Sequence, residues 1–318
     1  MEGHRSMYVD RAIKVLHEFP DPTLMNVDGP CPQFGWPNTI VRGTAKEYHY
    51  PMHTGPLSVC CNFNGSGHYE EGGQQYEIDD TSFLLLNEGQ RYSISIQGVE
   101  PIEGFYVFFR KGFAEEVHGA YIRNVRAQLD DPAMHAANSL RFIDMKYADD
   151  SYLKPAILRL RQAFNEGTVL EEQMEEEFSI LMGSLLRSQV GAYREVQRLS
   201  AQRPATRIEL YKRLKRARDI METSFTEELS LSTIASEACL SPHHFLRQFK
   251  ALYGITPHQF LIKKRIAKAA ELLSDPTLSV TEICHKVGFE SLGSFSWLFK
   301  RHTGRSPEQL RKYQAQAN

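Results

Sequence analysis

One pattern of residues occurs twice in the last third of the chain, and an internal repeat is interpreted before any local feature. Each copy has an apolar residue beside a small one, a turn, two phenylalanines four residues apart, a glycine, and a hydroxyl residue before proline. The copies are offset by 49 residues before the turn and by 50 after it, because the second turn is one residue longer. The first copy comprises Ile234, Ala235, Ala238, Leu240, Ser241, Phe245, Phe249, Gly254, Thr256 and Pro257, and the second comprises Ile283, Cys284, Val287, Phe289, Ser291, Phe295, Phe299, Gly304, Ser306 and Pro307.

Each copy is predicted to fold as a helix-turn-helix, over about residues 229–254 and 278–304. Phenylalanines four residues apart lie on one helix face, so the two rings of each copy are expected in one core. The turn is expected to bury Leu240 in the first copy and Phe289 in the second, and the serine after it to cap the next helix. A plain helical hairpin repeat would share these features, but the basic and polar outward faces favour the helix-turn-helix.

Residues 207–314 resemble the DNA-binding domain of the AraC/XylS family of bacterial transcription regulators. The phrases FSWLFK, which starts at Phe295, and GRSP, which starts at Gly304, match the family signature in its usual place. The resemblance implies an all-α C-terminal domain that binds double-stranded promoter DNA. It also implies a homodimer, a small-molecule effector, and RNA polymerase as a further candidate partner. Activation of nearby genes is commoner than repression in this family.

Charge is distributed unevenly along the chain, although the formal net charge is only −2. From Arg207 onward, 18 Lys and Arg stand against 11 Asp and Glu, whereas the preceding residues have 19 against 28. The resulting net charges of +7 and −9 favour a polyanionic partner for the C-terminal part alone. The helix predicted at 207–223 and the run of Lys263, Lys264, Arg265 and Lys268 are expected to steepen the salt dependence of DNA binding.

The cysteines and the hydropathy of the chain predict a cytoplasmic protein. Five cysteines without CxxC spacing indicate neither a disulfide framework nor a zinc site, and reduced thiols are the simplest interpretation. The first residues lack the apolar segment of a signal peptide. No apolar run approaches the roughly 20 residues that cross a bilayer, so no membrane partner is expected.

The N-terminal part has the texture of a β-rich domain followed by helices. Short candidate strands at even spacing predict a barrel or sandwich, and prolines make 20–37 irregular. The run from Tyr76 to Tyr92 resembles the cupin-like sensor domain that often precedes this DNA-binding domain. The predicted fold class is therefore α+β with two domains: a cupin-like β-barrel with appended helices over 1–199, a linker at 200–206, and the DNA-binding domain over 207–318. The candidate strands are 57–63, 75–78, 82–86, 92–96 and 104–109.

Helical spacing is found over 151–165 and 171–199, and the second segment has an apolar stripe. The stripe favours packing of this helix on its own barrel and a dimer interface about equally. It consists of Met174, Phe178, Leu181 and Leu185, widened by Met182 and Leu186.

The recognition helix of the first unit is expected to begin near Ser241 and to enter the major groove with its N-terminal residues. The resemblance implies that the base-reading positions are His243, Leu246 and Arg247. Of these, Arg247 is the best candidate for a base contact, because its guanidinium matches guanine O6 and N7. Lys250 is better placed for phosphate. The histidines are candidates for phosphate or base contacts, or are exposed without a role. The candidate DNA-contacting residues of this unit are His243, His244, Leu246, Arg247 and Lys250.

The second unit departs from the family pattern because Trp297 stands where Arg247 stands in the first. Its side chains offer few hydrogen bonds to bases, so the first unit is expected to supply most of the specificity and the second mainly to position the protein. Trp297 is expected to pack on a thymine methyl or a sugar. The candidate DNA-contacting residues of this unit are Leu292, Gly293, Ser294, Ser296, Trp297 and Lys300.

Two alternative functions concern the N-terminal part. A cupin-type metal enzyme needs clustered histidines, and His49, His53 and His68 have no such spacing, so neither enzyme activity nor a metal or other cofactor is expected. A thiol-based redox sensor would use Cys31, Cys60 and Cys61, but the last two lie in an apolar strand. A small-molecule sensor is favoured, although alternation does not show which residues line its pocket. The aromatic candidates are Tyr76, Phe83, Tyr92, Tyr106 and Phe108.

Overall fold

The computed structural model describes residues 13–20, 37–126, 140–148, 150–166, 171–201 and 203–317. The chain divides into two compact units, which comprise residues 1–192 and 193–318. The first is rich in sheet and the second is helical, so the protein combines α and β structure. Most of the segment predicted to be irregular, together with Cys31, lies outside the described residues.

One eight-stranded sheet forms the body of the first unit. Its path runs β1-β2-β7-β3-β6-β8, and β4 pairs with both β5 and β7. Among the described strands, β1 and β2 form a parallel pair and the other pairs are antiparallel. The strands are β1 (Ile13–Leu16), β2 (Asn38–Thr54), β3 (Ser58–Phe63), β4 (Gly67–Glu71), β5 (Gln74–Ile78), β6 (Ser82–Leu86), β7 (Arg91–Phe108) and β8 (Lys146–Ala148).

The two longest strands, β2 and β7, pair with each other along most of their length. On its other edge β7 pairs with β4 through its first half and with β3 through its second. The strands predicted separately at 92–96 and 104–109 are therefore parts of one continuous strand. The sequence prediction also missed β2, because its second half is largely exposed and lacks an apolar alternation.

Two sets of buried side chains flank the sheet. One is a cluster rich in tyrosine, and the other packs against the helices of the unit. On the helix side, Phe83 stacks on Tyr147 with ring centroids 5.3 Å apart, and Phe105 contacts Phe164 edge to face at 6.0 Å. The tyrosine-rich cluster contains Val41, Tyr50, Cys60, Tyr69, Ile78, Leu84, Leu86, Tyr92, Ile94 and Tyr106.

The described residues of the first unit also form three helices: α1 (Phe113–Arg126), α2 (Leu153–Glu166) and α3 (Glu171–Val196), the last of which runs four residues beyond the unit's end at residue 192. The predicted apolar stripe of α3 is mostly buried within its own chain. Phe178 contacts Phe109 and Phe113 edge to face, with ring centroids 5.9 and 6.5 Å apart. Packing within the chain therefore buries the stripe except for Leu186, which is half-buried.

A buried carboxylate links α2 to the sheet. Glu103 of β7 is only 4% exposed and accepts two hydrogen bonds from Arg161 at 2.8 Å and one from Arg42 at 3.1 Å. Burial alone would raise the pKa of Glu103, but the hydrogen bonds and charges of the two arginines outweigh it and lower the pKa below its ordinary value. The Arg161 guanidinium also lies over the Phe63 ring at 4.0 Å.

Replacing Glu103 with Gln is expected to lower the free energy of unfolding by about 2–3 kcal/mol at pH 7, because it leaves two arginines with an uncharged partner. A carboxyl whose pKa is lowered by folding stabilises the protein above its ordinary pKa of about 4 and loses that contribution as the pH falls through the folded value. Urea unfolding from pH 7 to pH 3 should therefore show the two proteins converging in acid. A difference that is constant with pH would contradict this role.

The second unit contains seven helices within the described residues. The first begins at Pro204, inside the predicted linker and before the predicted start at Arg207, because Pro204 occupies the first helical turn, where its missing N–H costs nothing. The helices are α4 (Pro204–Thr223), α5 (Leu231–Glu237), α6 (Pro242–Tyr253), α7 (Pro257–Leu272), α8 (Val280–Lys286), α9 (Leu292–Thr303) and α10 (Pro307–Ala317).

The residues around the predicted linker are packed within the second unit. Glu195 accepts a hydrogen bond from the Tyr211 hydroxyl at 2.7 Å and pairs with Lys215 at 3.1 Å. The Gln248 amide of α6 donates to the Ser200 hydroxyl at 2.8 Å. This compact unit therefore includes the chain that leads into α4. No helix within the described ranges combines the length and the hydropathy needed to cross a bilayer.

Candidate nucleic-acid interface

The two helix-turn-helix units are formed by α5 with α6 and by α8 with α9. Ser241 and Ser291 accept hydrogen bonds from backbone N–H groups of the following helix, as predicted. Gly254 and Gly304 end α6 and α9 with φ angles of 74° and 78°, which glycine adopts without strain. These four positions determine where each recognition helix begins and ends.

The two turns differ in their central residues. Cys239 takes a left-handed φ of 50° in the first turn, and Gly288 takes 87° at the equivalent place in the second. A Cβ atom at Gly288 would lie 2.6 Å from the Thr226 carbonyl oxygen, so the second turn requires glycine. Phe289 is buried as predicted, whereas Leu240 is only half-buried, and the prediction that the first turn buries its apolar residue is wrong.

Paired phenylalanines fix the rotation of each recognition helix about its axis. Phe245 and Phe249 are fully buried with ring centroids 5.4 Å apart, and Phe295 and Phe299 are fully buried at 5.5 Å. Because residues four apart occupy one face of a helix, the opposite faces of α6 and α9 point away from their cores.

The outward face of α6 carries the predicted DNA-contacting residues of the first helix-turn-helix. His243, Arg247 and Lys250 are exposed, whereas His244 and Leu246 are half-buried. Among the described residues, the Arg247 guanidinium has no hydrogen-bond or ion-pair partner. Its five donors are therefore available to an external acceptor.

A groove of about 510 Å³ adjoins this face within the second unit. Arg247 and His244 line it together with Arg213 and Gln248. Arg213 is already engaged, because its guanidinium pairs with Glu209 at 2.9 Å and reaches the Cys239 carbonyl at 3.4 Å. Arg247 is thus the arginine of this groove that lacks a partner within the described chain.

The outward face of α9 has a different chemistry. Trp297 is 61% exposed and Leu292 is 40% exposed, and Gly293, Ser294 and Lys300 are exposed beside them. Ser296 is half-buried, and the Ser294 hydroxyl lies 3.1 Å from the Ser291 hydroxyl of the cap. The face offers a large apolar ring with few free hydrogen-bonding groups.

A cation–π contact on α9 was not foreseen from the sequence. The Arg301 guanidinium lies over the Trp297 ring, 5.1 Å from its centroid. The spacing of four residues between an arginine and a tryptophan on one helix is the signal that would have indicated it. The contact places a positive charge beside the exposed ring.

Several cations of the predicted basic runs are engaged within the second unit. Arg265 donates to the carbonyls of Phe225 and Glu227 at 2.7 and 2.9 Å, and burial lowers its pKa. Lys215 pairs with Glu195, and Arg218 pairs with Glu222 at 2.9 Å. These residues stabilise the packing of the unit, so counting basic residues overestimates the charge that is free to meet a polyanion.

The aromatic residues predicted to line a pocket of the first unit divide into two groups. Tyr92, Tyr106 and Phe108 line a small cavity, whereas Phe83 stacks on Tyr147 outside that lining. Tyr76 packs against the tyrosine-rich cluster and does not line the cavity. Of the five aromatic candidates, Phe83 and Tyr76 therefore contact other neighbours than this cavity.

The candidate metal ligands and thiols of the first unit are also separated or buried. Within the described ranges, no three His, Cys, Asp or Glu side chains are grouped to hold a metal ion. Cys60 and Cys61 are buried, and burial raises the pKa of Cys60 to about 12 and that of Cys61 well above its ordinary value. Because the thiolate is the reactive form, these two thiols are poorly suited to redox sensing.

Truncation of two aromatic residues on α9 should change the free energy of unfolding by very different amounts. Replacing Trp297 with Ala is expected to change the free energy of unfolding by less than about 0.5 kcal/mol, because the side chain is exposed. Replacing Phe295 with Ala should cost about 3–5 kcal/mol, because that ring is fully buried. Urea unfolding of both variants checks this. A Trp297 variant as unstable as the Phe295 variant would show that the outward face is part of the core.

Comparison with known proteins finds matches to the C-terminal repeat. Residues 234–313 match the family model described as a helix-turn-helix domain. The HTH-type transcriptional activator RhaS of Enterobacter sp. (strain 638) is 38% identical over 92 residues, which are 29% of this chain and 33% of RhaS. The chain thus spans about a third of the length of the curated relatives it matches.

Solved structures resemble the chain at low global similarity. A transcriptional regulator with an AraC-type DNA-binding domain from Chromobacterium violaceum is 29% identical, with 33% of this chain and 95% of that chain covered and a TM-score of 0.31. A structure of ToxT from Vibrio cholerae is 16% identical, with 85% and 97% covered and a TM-score of 0.30. The C-terminal part of this chain therefore contains a helix-turn-helix domain, and it is similar in sequence to part of an HTH-type transcriptional activator.

Proposed function

We propose that the protein is a sequence-specific, DNA-binding transcription regulator of the AraC/XylS type, which acts on double-stranded promoter DNA. One observation carries the proposal most directly: Arg247 is exposed and has no partner among the described residues, on a helix whose opposite face is locked by two buried phenylalanines. An arginine presented in this way on a recognition helix suits the O6 and N7 atoms of guanine in the major groove.

The two helix-turn-helix units are proposed to enter successive major grooves on one face of the duplex. The connecting helix α7 has 16 residues, or about 24 Å at 1.5 Å per residue. With the width of the flanking helices added, this separation suits grooves one helical turn, about 34 Å, apart. The outward face of α6 then contacts bases, and that of α9 mainly positions the protein through Trp297 and Lys300.

The first unit is proposed to be a cupin-like barrel that senses a small molecule and mediates a homodimer. The proposal is supported by a mainly antiparallel sheet whose two longest strands, β2 and β7, both contribute residues to the tyrosine-rich cluster. Because packing within the chain buries most of the stripe over Met174–Leu186, the dimer is proposed to use exposed surfaces of the unit. Effector binding would change how the two DNA-binding domains of the dimer are presented, and activation of nearby genes is the proposed outcome.

Replacing Arg247 with Ala is expected to cost about 1–3 kcal/mol on a selected duplex and much less on random DNA, because it removes a base contact. Replacing Lys250 with Ala, three residues along the same helix, is the matched control and should weaken both duplexes similarly through a lost phosphate contact. Fluorescence anisotropy at one fixed salt concentration measures both. Equal losses on the two duplexes for Arg247→Ala would remove Arg247 from the base-contacting set.

The salt dependence of DNA binding should distinguish cations that are free to contact phosphate from cations that are held in ion pairs within the protein. Lys300 is exposed on α9, so Lys300→Gln is expected to reduce the slope of log K against log salt by about 0.9. Lys215→Gln should leave the slope unchanged, because that ammonium group is held by Glu195. The slope is measured between 50 and about 200 mM salt on one duplex. An equal reduction in both variants would show that the Lys215 ion pair opens on DNA.

A further inference from the structure

Three positions on the outward face of α9 differ together from their counterparts in α6. They follow one another at intervals of four residues, so they form one row along the helix surface. In α9 the row consists of Gly293, Trp297 and Arg301, and in α6 it consists of His243, Arg247 and Ala251. The hydrogen-bonding side chains at the first two positions of α6 are thus replaced in α9 by a position without a side chain and by an indole ring.

The patch of helix surface beside Gly293 is open. Apart from the two adjoining residues and the backbone of α9, the nearest atom of the described chain to a Cβ at this position would be the Ser291 hydroxyl oxygen, at 4.0 Å. A long side chain on a helix normally leans toward the N-terminus and covers the residue four positions before it. Trp297 does not do so, because its ring has no atom within 4 Å of that point.

Arg301 contacts the indole ring from the next turn toward the C-terminus. Its guanidinium lies over the ring, 5.1 Å from the centroid, within the distance at which a cation is attracted to the face of an indole. The contact restrains a side chain that is otherwise 61% exposed. The open patch thus has the backbone at Gly293 as its floor and the Trp297 ring as its C-terminal wall. We call this recess the indole notch.

The surroundings of the indole notch are mainly apolar. Ser291, whose hydroxyl is nearest to the open patch, is committed to the helix cap: it accepts a hydrogen bond from the Ser294 N–H at 3.2 Å and donates to the Ser294 hydroxyl at 3.1 Å. Leu292, which precedes Gly293, is apolar and 40% exposed. A recess with these walls suits an apolar group better than the hydrogen-bonding edge of a base.

The position of the notch on α9 indicates which apolar group it meets. Gly293 is the second residue of the helix, and the N-terminal residues of a recognition helix are those that contact base edges in the major groove. Among the groups that the four bases present there, the 5-methyl group of thymine is the apolar one. A methylated cytosine carries the same group at the same place.

We propose that the indole notch receives the 5-methyl group of a pyrimidine, which packs between the backbone at Gly293 and the Trp297 ring, and that Arg301 is a positioning residue that holds the ring. The inference rests on the proposed DNA-binding function and deepens it by naming the chemical group that the second helix-turn-helix recognises. One methyl contact adds a limited base preference to a helix that otherwise positions the protein.

The first test changes the methyl group without changing the hydrogen-bonding pattern of the base. In a duplex selected from random DNA, each thymine is replaced singly by deoxyuridine, and binding of the full-length protein is measured by fluorescence anisotropy at one salt concentration. At one thymine or more, the loss of the methyl group is expected to weaken binding about fourfold, which corresponds to one buried methyl group. At that position a 5-methylcytosine–guanine pair should bind more tightly than a cytosine–guanine pair by a similar factor. The proposal is overturned if no deoxyuridine weakens binding, or if methylation of the cytosine has no effect.

The second test assigns the methyl effect to the notch. Trp297→Ala should abolish the difference between the thymine and deoxyuridine duplexes at that position, and Gly293→Ala should do the same by placing a methyl group of the protein in the recess. Arg247→Ala is the matched control on α6, which should weaken both duplexes and leave their ratio unchanged. If the difference persists in Trp297→Ala, another residue reads the methyl group and the proposal fails.

The role of Arg301 is tested by a conservative pair of variants. Arg301→Gln removes the cation from the ring and should reduce the ratio of the two affinities, whereas Arg301→Lys keeps a cation beside the ring and should restore it. A side chain that only contacts phosphate would change both affinities by the same factor. An unchanged ratio in Arg301→Gln would remove Arg301 from the notch.

The failure of this proposal is distinguishable from failure of the proposed DNA-binding function. Salt-sensitive binding that is equal for the thymine and deoxyuridine duplexes at every position would overturn the indole notch and leave the regulator in place. No salt-sensitive binding to any duplex would overturn the DNA-binding function and the notch with it.

Discussion

The burial of two phenylalanines four residues apart, once in α6 and once in α9, is the constraint on which the rest of the second unit depends. Each pair fixes how its helix is rotated against the core, and therefore which side chains face outward. The serine caps and the glycine ends then set the length of each helix. Without this packing, Arg247 and Trp297 would have no defined direction, and neither could form part of a surface shaped for a duplex.

The same scaffold presents two chemically different faces. α6 offers an arginine without an internal partner, and α9 offers an exposed tryptophan with Arg301 over its ring. A guanidinium distinguishes bases by paired hydrogen bonds, whereas an indole makes mainly apolar contacts. This asymmetry supports different roles for the two helix-turn-helix units, although their backbone structures are alike. The cations of α4 and α7 contribute less than their number suggests, because several are held within the unit.

Much of the helical unit was predictable from the sequence, because its signals are local. Serine caps, left-handed glycines and phenylalanine pairs each act over a few residues, and the structure confirms them. The sheet was harder to predict, because the pairing that defines it is long-range. β2 has few apolar residues in its second half, and β7 was divided in two because its middle is polar and exposed.

The inner surfaces of the first unit were the least predictable feature. Aromatic residues on neighbouring strands looked equivalent in the sequence, yet Tyr92 and Tyr106 line the cavity whereas Phe83 and Tyr76 do not. Strand alternation gives the face of a residue only when the register and the bulges are known, and β2 and β7 shift register twice.

A footprint of the full-length protein on a duplex selected from random DNA tests the central claim most directly. Methylation protection of guanine N7 reports contact in the major groove. The proposal predicts two protected segments on one face of the duplex, about 10 base pairs apart, because α6 and α9 are proposed to enter grooves one helical turn apart. Protection of a single segment, of segments on opposite faces, or none beyond that on random duplex would contradict the proposal that α6 and α9 enter successive grooves.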